Sequence, residues 1–372
     1  MTLVRRHLLG AAAAMIAGCA RAQSPAAEGS LQRLVDETGV PALAGAVVTP
    51  EGLPLLEAAG LRRSNASETV TKGDLWHLGS NTKAMTAALY GRLVDANLAR
   101  WDATLPDLFP DLKLDAAWSR TTIEQVMGHT AGLSDRGVIG IGWLIEAQAS
   151  TDPVNDQRTA LVAKALAAPP AGKAGQFEYG NLNYIVVGAA IERIVRTSWE
   201  LAITERLFRP LGLTSAGFGA PKGAQPWGHR RLPMGVGGLM PIDPMDAKGG
   251  ADNPPALGPA GTAHMTLTDY AKFIRLFLTE GGEVLRPETV ARLITPPPGG
   301  GYALGWGVTA GRPWARGASL GHEGSNTMWH MVALVAPKRG IAFVGAANAM
   351  MPDSKSAPRM LVKQLQERFA AV

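Results

Sequence analysis

The 372-residue chain contains a single cysteine, Cys19, so it forms no internal disulfide, and cysteine-rich zinc sites and dithiol redox motifs are excluded. Aromatic residues make up only 6% of it and charged residues 18%; the formal net charge is +5. Basic residues adjoin one another at most in pairs, such as Arg62-Arg63, Arg230-Arg231 and Lys338-Arg339. That is too sparse to track a phosphate backbone, and no nucleic-acid partner is expected. The seven histidines are scattered, with no H-E-x-x-H helix and no EF-hand pattern, and there is no phosphate loop, so neither a metal nor a cofactor is indicated. Apolar residues, by contrast, are plentiful at 46%, alongside 44 Gly and 26 Pro. This is the composition of a globular chain long enough to bury its core without covalent staples.

The N-terminus reads differently from the rest. Arg5-Arg6 precede an apolar stretch from Leu8 to Ala17 and small residues up to Ala22, which predicts an export signal over residues 1–22 and a periplasmic protein. The stretch is shorter than the ~20 residues a finished spanning helix needs. Ile16-Ala17-Gly18-Cys19 resembles a bacterial lipobox, which would place a lipid on Cys19 and tether the chain to a membrane; Ala20-Arg21-Ala22 resembles an ordinary cleavage site. Both remain open at this level.

Beyond the leader, the apolar segments Leu43 to Thr49 and Leu53 to Ala59 flank Pro50-Glu51-Gly52 as the arms of a hairpin. A second pair, Met331 to Ala336 and Ile341 to Ala346, flanks Pro337-Lys338-Arg339-Gly340, and a Gly-rich strand is expected near Leu304 to Thr309. Helical periodicity marks Thr82 to Leu98, Tyr184 to Val195 and Thr268 to Leu278, the last with Gly281 as its cap. Strands at both ends with helices between predict an α+β fold, an antiparallel sheet flanked by helices and built from both chain ends. Residues 30–95 and 262–372 would form the sheet domain and 96–261 a helical, loop-rich insertion. Gly219 to Gly261, dense in Gly and Pro, predicts loops that act as walls or lids.

Ser80-Asn81-Thr82-Lys83 stands directly before the first of these helices. A serine there lies near free N–H groups and the positive end of the dipole, and Lys83 shares its face. A hydroxyl needs a base to become a nucleophile at neutral pH, and a desolvated lysine can hold that proton. Alone, the tetrapeptide is a common chance match.

Its company makes it specific. With Phe177-Glu178-Tyr179-Gly180-Asn181-Leu182-Asn183-Tyr184 and Gly321-His322-Glu323-Gly324-Ser325-Asn326, the chain resembles the serine β-lactamase and penicillin-binding superfamily, in its class C-like branch. Gly128-His129-Thr130-Ala131-Gly132-Leu133, Pro259-Ala260-Gly261-Thr262 and Tyr302-Ala303-Leu304-Gly305-Trp306-Gly307 resemble further segments of that family in the same order. The resemblance implies a serine hydrolase working through an acyl-enzyme at Ser80, with Lys83 and Tyr179 sharing the proton handling, on a β-lactam, a D-alanyl peptide or a short ester or amide. It implies that Asn181 orients Lys83 and meets the substrate, and that His322, Gly324 and Ser325 line the binding strand, the N–H groups of Ser80 and Ser325 serving as oxyanion hole. Which of Lys83 and Tyr179 is the base stays open. The alternative is a penicillin-binding or envelope-sensing protein that acylates with little turnover.

Three residues qualify this picture. The family's third motif usually opens with Lys; His322 carries charge only below about pH 6.5 unless partners raise it, so carboxylate recognition should be weaker or pH-dependent. Gly317-Ala318-Ser319-Leu320-Gly321 fits the G-x-S-x-G elbow, but too little chain follows Ser319 to supply an acid, a histidine and the sheet between them, so Ser319 is expected to lead into a strand. Trp306 and Trp329, near the third motif, are candidates either for the acyl pocket or for the core.

Overall fold

A computed structural model describes residues 28–371 except 234–236 and 247–249. The expected export segment and Cys19 lie outside the described residues. Among the described residues no helix is long and apolar enough to cross a membrane.

The strands, in chain order, are β1 Ala42–Thr49, β2 Gly52–Gly60, β3 Leu75–His77, β4 Gly217–Phe218, β5 His229–Arg231, β6 Leu239–Pro241, β7 Ala263–Thr266, β8 Gly307–Arg312, β9 Gly317–Ser325, β10 His330–Ala336 and β11 Ile341–Ala347. Six of them form one antiparallel sheet in the order β2-β1-β11-β10-β9-β8. The two chain ends meet at its centre, where β1 pairs with β11 in the register Leu43 to Ala347 and Val47 to Phe343. Alternation explains why β1 is apolar throughout: Ala42, Ala44, Ala46 and Val48 enter one core, Leu43 and Val47 the other. The second core lies under the helices Glu28–Thr38 and Ala357–Phe369, and Gly45 lets the latter close in, since a Cβ there would sit 2.5 Å from Leu361 Cδ2. The first core is shared with the helices Thr82–Asp95, Asn181–Val195 and Leu267–Arg275.

Both expected hairpins form. The third expected strand starts later, at Gly307, because Gly305 takes φ +87° and turns the chain hard against the Thr82–Asp95 helix, where a Cβ would stand 2.6 Å from Ala84 Cα. The first helix stops at Asp95 rather than Leu98, since Asn97 adopts a left-handed φ of 57°. The Leu267–Arg275 helix also ends early and runs through turns to Gly281, whose N–H donates to the Leu276 carbonyl. Within Gly219 to Gly261 the loops include the β5–β6 ribbon and two short helical turns, Pro255–Leu257 and Gly258–Gly261. Ser319 lies inside β9 opposite Thr309, a strand interior rather than a strand-to-helix elbow. Trp306 packs edge-on against Phe277 and Trp329 against Trp76, both essentially buried, so they belong to the core.

Candidate active site

Gly79, at φ +51°, swings the chain out of β3 into a single 3-10 turn, Gly79–Asn81, that runs on into the Thr82–Asp95 helix and leaves Ser80 half-buried at its start. The turn is tied down on every side. Thr82 Oγ1 donates to the Gly79 carbonyl at 2.8 Å and accepts from Ala263 N. Asn81 Nδ2 donates to the Leu78 carbonyl, and the buried Tyr270 phenol donates to Asn81 Oδ1. Ser80 is thereby held on a rigid element.

Lys83 lies one turn on and is fully buried. Its Nζ stands 3.0 Å from Ser80 Oγ, 2.9 Å from Asn181 Oδ1 and 2.8 Å from the Ala260 carbonyl. As an ammonium Lys83 can only donate, which assigns the Asn181 oxygen to this contact. Thr86 Oγ1 donates to the Pro259 carbonyl, so the segment that supplies the Ala260 carbonyl is stitched to the same helix. Gly188 lets the Asn181–Val195 helix close onto that segment, since a Cβ there would lie 2.2 Å from Pro259 Cγ.

Asn181 opens its helix, and Asp135, which the motifs did not single out, caps it: its carboxylate accepts from Asn181 N at 2.9 Å and from Leu182 N at 2.8 Å. Tyr179 sits two residues earlier, 43% exposed, with its ring centroid 4.9 Å from Lys83 Nζ. Both flanks of Tyr179 are bonded to His129, whose carbonyl accepts from Glu178 N and whose Nδ1 accepts from Gly180 N, while the two rings lie 4.6 Å apart. Burial, and then the nearby Lys83 cation, hold His129 well below its ordinary pKa, so the ring is neutral. His129 lies in the family-like segment Gly128 to Leu133, but the sequence assigns it no role, because its partners lie some fifty residues away.

The oxyanion-hole pair expected at Ser80 and Ser325 comes together through two glycines. A Cβ on Gly324 would fall 2.0 Å from the Leu78 carbonyl oxygen and 2.6 Å from Ser80 N, and one on Gly79 would fall 2.4 Å from Ser325 N. Only a bare backbone on both sides lets the end of β9 lie this close to the Ser80 turn. Ser325 Oγ donates to the Trp329 carbonyl and accepts from Thr327 N, which turns its side chain into the strand end.

His322 is buried in the same strand with both ring nitrogens engaged. Nδ1 lies 2.9 Å from the Glu323 carbonyl, which can only accept, so Nδ1 carries the proton and Nε2 accepts from Tyr302 Oη at 3.0 Å. Burial, with Lys83 as a second cause, lowers its pKa to about 4. The ring lies 6.2 Å from that of Tyr179 and is neutral at physiological pH, so the cation that the usual lysine brings to this strand is missing here. A further polar chain leads away from the site: Gly79 N donates to His77 Nδ1, His77 Nε2 meets Asp252 Oδ2 at 2.8 Å, and Asn326 Nδ2 donates to Asp252 Oδ1. Neither His77 nor Asp252 was legible as part of the site, since 175 residues separate them.

Residues 27–366 match the beta-lactamase family. Among curated proteins, penicillin-binding protein 4 of Amycolatopsis lactamdurans is 27% identical over 341 residues, covering 86% of this chain and 83% of its own length. Among solved structures, the octameric penicillin-binding protein homologue from Pyrococcus abyssi aligns at a TM-score of 0.70 and 20% identity, covering 92% of this chain and 78% of that one. A D-stereospecific amidohydrolase from Streptomyces aligns at a TM-score of 0.69 and 20% identity, covering 93% and 99%. These two likenesses are likenesses of fold. The family match spans nearly the whole described chain, and on it the chain belongs to the beta-lactamase family of serine hydrolases.

Proposed function

We propose that the protein hydrolyses amide or ester bonds of small acyl or peptide substrates through an acyl-enzyme on Ser80. The observation that carries this reading is the contact set of Lys83 Nζ. Its three acceptors match the three N–H donors of an ammonium. They match the amine equally well, which keeps two N–H bonds, to Asn181 and Ala260, and turns its lone pair to the Ser80 hydroxyl. The same arrangement therefore fits before and after proton transfer, with little reorganisation.

In this reading the amine form of Lys83 is the reactive one: Ser80 Oγ attacks the acyl carbon and passes its proton to that amine. The carbonyl oxygen becomes the oxyanion, received by the N–H groups of Ser80 and Ser325; donors of this kind contribute roughly 3 to 4 kcal/mol each in comparable sites. The tetrahedral intermediate collapses, the bond to the leaving amine or alcohol breaks, and that group takes the proton from Lys83, with the more exposed Tyr179 phenol as relay. Water then attacks the acyl-enzyme, its proton returning along the same path, and releases the acid. The side-chain amide of Asn181 is left to donate to the substrate.

The neutral, buried His322 favours amides and esters over penicillins, since β9 offers no cation beside the reacting bond. The likeness to a D-stereospecific amidohydrolase supports the same side. The export signal read over residues 1–22 would put the reaction in the periplasm. The test is mass spectrometry after treatment with a fluorophosphonate and, separately, a penicillin, followed by specificity constants for p-nitrophenyl esters, D-amino-acid amides and nitrocefin. A fluorophosphonate adduct on Ser80, with an ester or D-amide preferred to nitrocefin by about tenfold or more, is expected. A lasting penicillin adduct without turnover of any substrate would turn the assignment to a sensor, and no adduct at Ser80 would overturn it.

A further inference from the structure

We propose that a cavity adjoining the end of β9 is a substrate-side pocket that takes a branched apolar group together with a carboxylate, the carboxylate held by Arg230. The inference rests on the Ser80 reading only in naming the occupant a substrate.

The cavity has a volume of about 680 Å³ and is walled by Ile141, Ile145, Arg230, Asp252, Asn326 and Met328, among others. Asn326 directly follows Ser325, so the pocket begins where the strand leaves the reaction site. Its opposite wall is bound to the same place, because Asp252 holds both Asn326 and, through His77, the backbone N–H of Gly79.

Ile141 and Ile145 stand one turn apart on the helix Ile141–Ala149 and are 79% and 66% exposed. The helix buries another face through Ala147 and packs Trp143 and Leu144 toward the core, so these two isoleucines are the side it leaves bare. Paired exposed isoleucines over a concave space are a surface that gains by being covered.

The charges select what covers it. Asp252 is spent: Oδ2 meets His77, and Oδ1 accepts from Asn326 Nδ2 and Asn253 N. Arg230, exposed on β5, donates one N–H to the Gly250 carbonyl at 2.9 Å and touches Met328 Sδ, and among the described residues no carboxylate pairs with it. With Nη2 turned to Gly250 and Met328, its Nε and Nη1 N–H groups and its positive charge are left to meet a carboxylate. An apolar wall beside an unpaired guanidinium suits the terminal residue of a small peptide, with a branched side chain on the isoleucines and a free acid on Arg230.

The experiment uses the full chain carrying Ser80→Ala, which holds ligands without turning them over, and measures calorimetric affinities for N-acetyl-D-leucyl-D-leucine and for the same dipeptide with a C-terminal amide. The free acid is expected to bind about tenfold more tightly than the amide. Adding Arg230→Gln should erase that preference while the amide affinity stays the same, and Ile145→Ser should weaken both ligands several-fold. Thermal melting of each variant, expected unchanged at these exposed positions, separates lost binding from lost folding. Equal affinity for acid and amide, an equal loss of both on Arg230→Gln, or no binding of either at millimolar concentration would overturn the proposal. Failure of the fluorophosphonate to label Ser80 in the unmodified protein would sink the serine chemistry instead, and leaves the binding comparison standing.

Discussion

Tyr302 donates its phenolic hydrogen to Nε2 of His322 across 3.0 Å, and the same imidazole donates from Nδ1 to the Glu323 carbonyl, so both nitrogens are committed inside the fold. Burial is the larger cause, and the Lys83 cation the second, of a pKa lowered to about 4. An unfolded chain protonates this histidine below about pH 6.5, the folded one only near 4. The unfolded state therefore binds the extra proton in that window. The stability that goes with the neutral ring is complete above pH 6.5 and is lost as the pH falls toward 4, by an amount of order 3 kcal/mol.

Urea denaturation at pH 7.5 and pH 4.5 tests this. His322→Gln should lose clearly less stability on acidification than the parent. It should still lose some, because burial also lowers His129, His229 and His264. Identical losses in the two proteins would mean that His322 is not held neutral by its surroundings.

Lys83→Met removes the ammonium but keeps the volume of the stem. The Asn181 oxygen and the Ala260 carbonyl then lose their donor, at a cost of about 1–3 kcal/mol each where no water replaces it. The specificity constant on the best ester of the panel should fall by roughly 10³-fold, and Ser80→Ala should fall as far, with the double variant little worse, because the two side chains act as one unit. Additive losses would argue that Lys83 only packs.

Gly324→Ala sets a methyl 2.0 Å from the Leu78 carbonyl oxygen, which is backbone and cannot swing aside. The end of β9 must then draw back from the Ser80 turn. If Ser325 N–H receives the oxyanion, the folded fraction should show kcat lowered about 10²-fold or more, with KM changed far less. An unchanged kcat in a folded variant would move the oxyanion hole elsewhere.

Asp135→Ala strips two N–H groups at the start of the Asn181–Val195 helix of their acceptor. A loss of about 1 kcal/mol in stability is expected, together with lower activity, because Asn181 is the first residue of that helix and holds Lys83. Asp135→Asn, which keeps one acceptor oxygen, should recover part of both. A stability loss with full activity would separate the cap from the site.

The parts of this molecule that could be read in advance are those with a local period. Ser80 and Lys83 are three apart, the spacing that puts two side chains on one helical face. The strands of both chain ends carry continuous or alternating apolar residues that only a sheet between two cores can bury. The misjudged boundaries are places where one backbone angle decides, as at Gly305 and Asn97. His129, Asp135, Tyr302 and the His77–Asp252 pair gave no such signal: each acts on a partner between twenty and 175 residues away, and no window of sequence contains both members.

By itself the amino-acid order determined the family and the sheet made from two chain ends, and it pointed to Ser80 and Lys83 as the candidate pair, because periodicity and short motifs are properties of neighbours along the chain. Only the tertiary structure decided that His322 is neutral, that two glycines let Ser80 and Ser325 come together, and that Arg230, with no carboxylate partner among the described residues, stands beside bare isoleucines. Desolvation, close approach and the presence or absence of a counter-charge depend on what folding brings alongside, and that is set by packing across the whole chain.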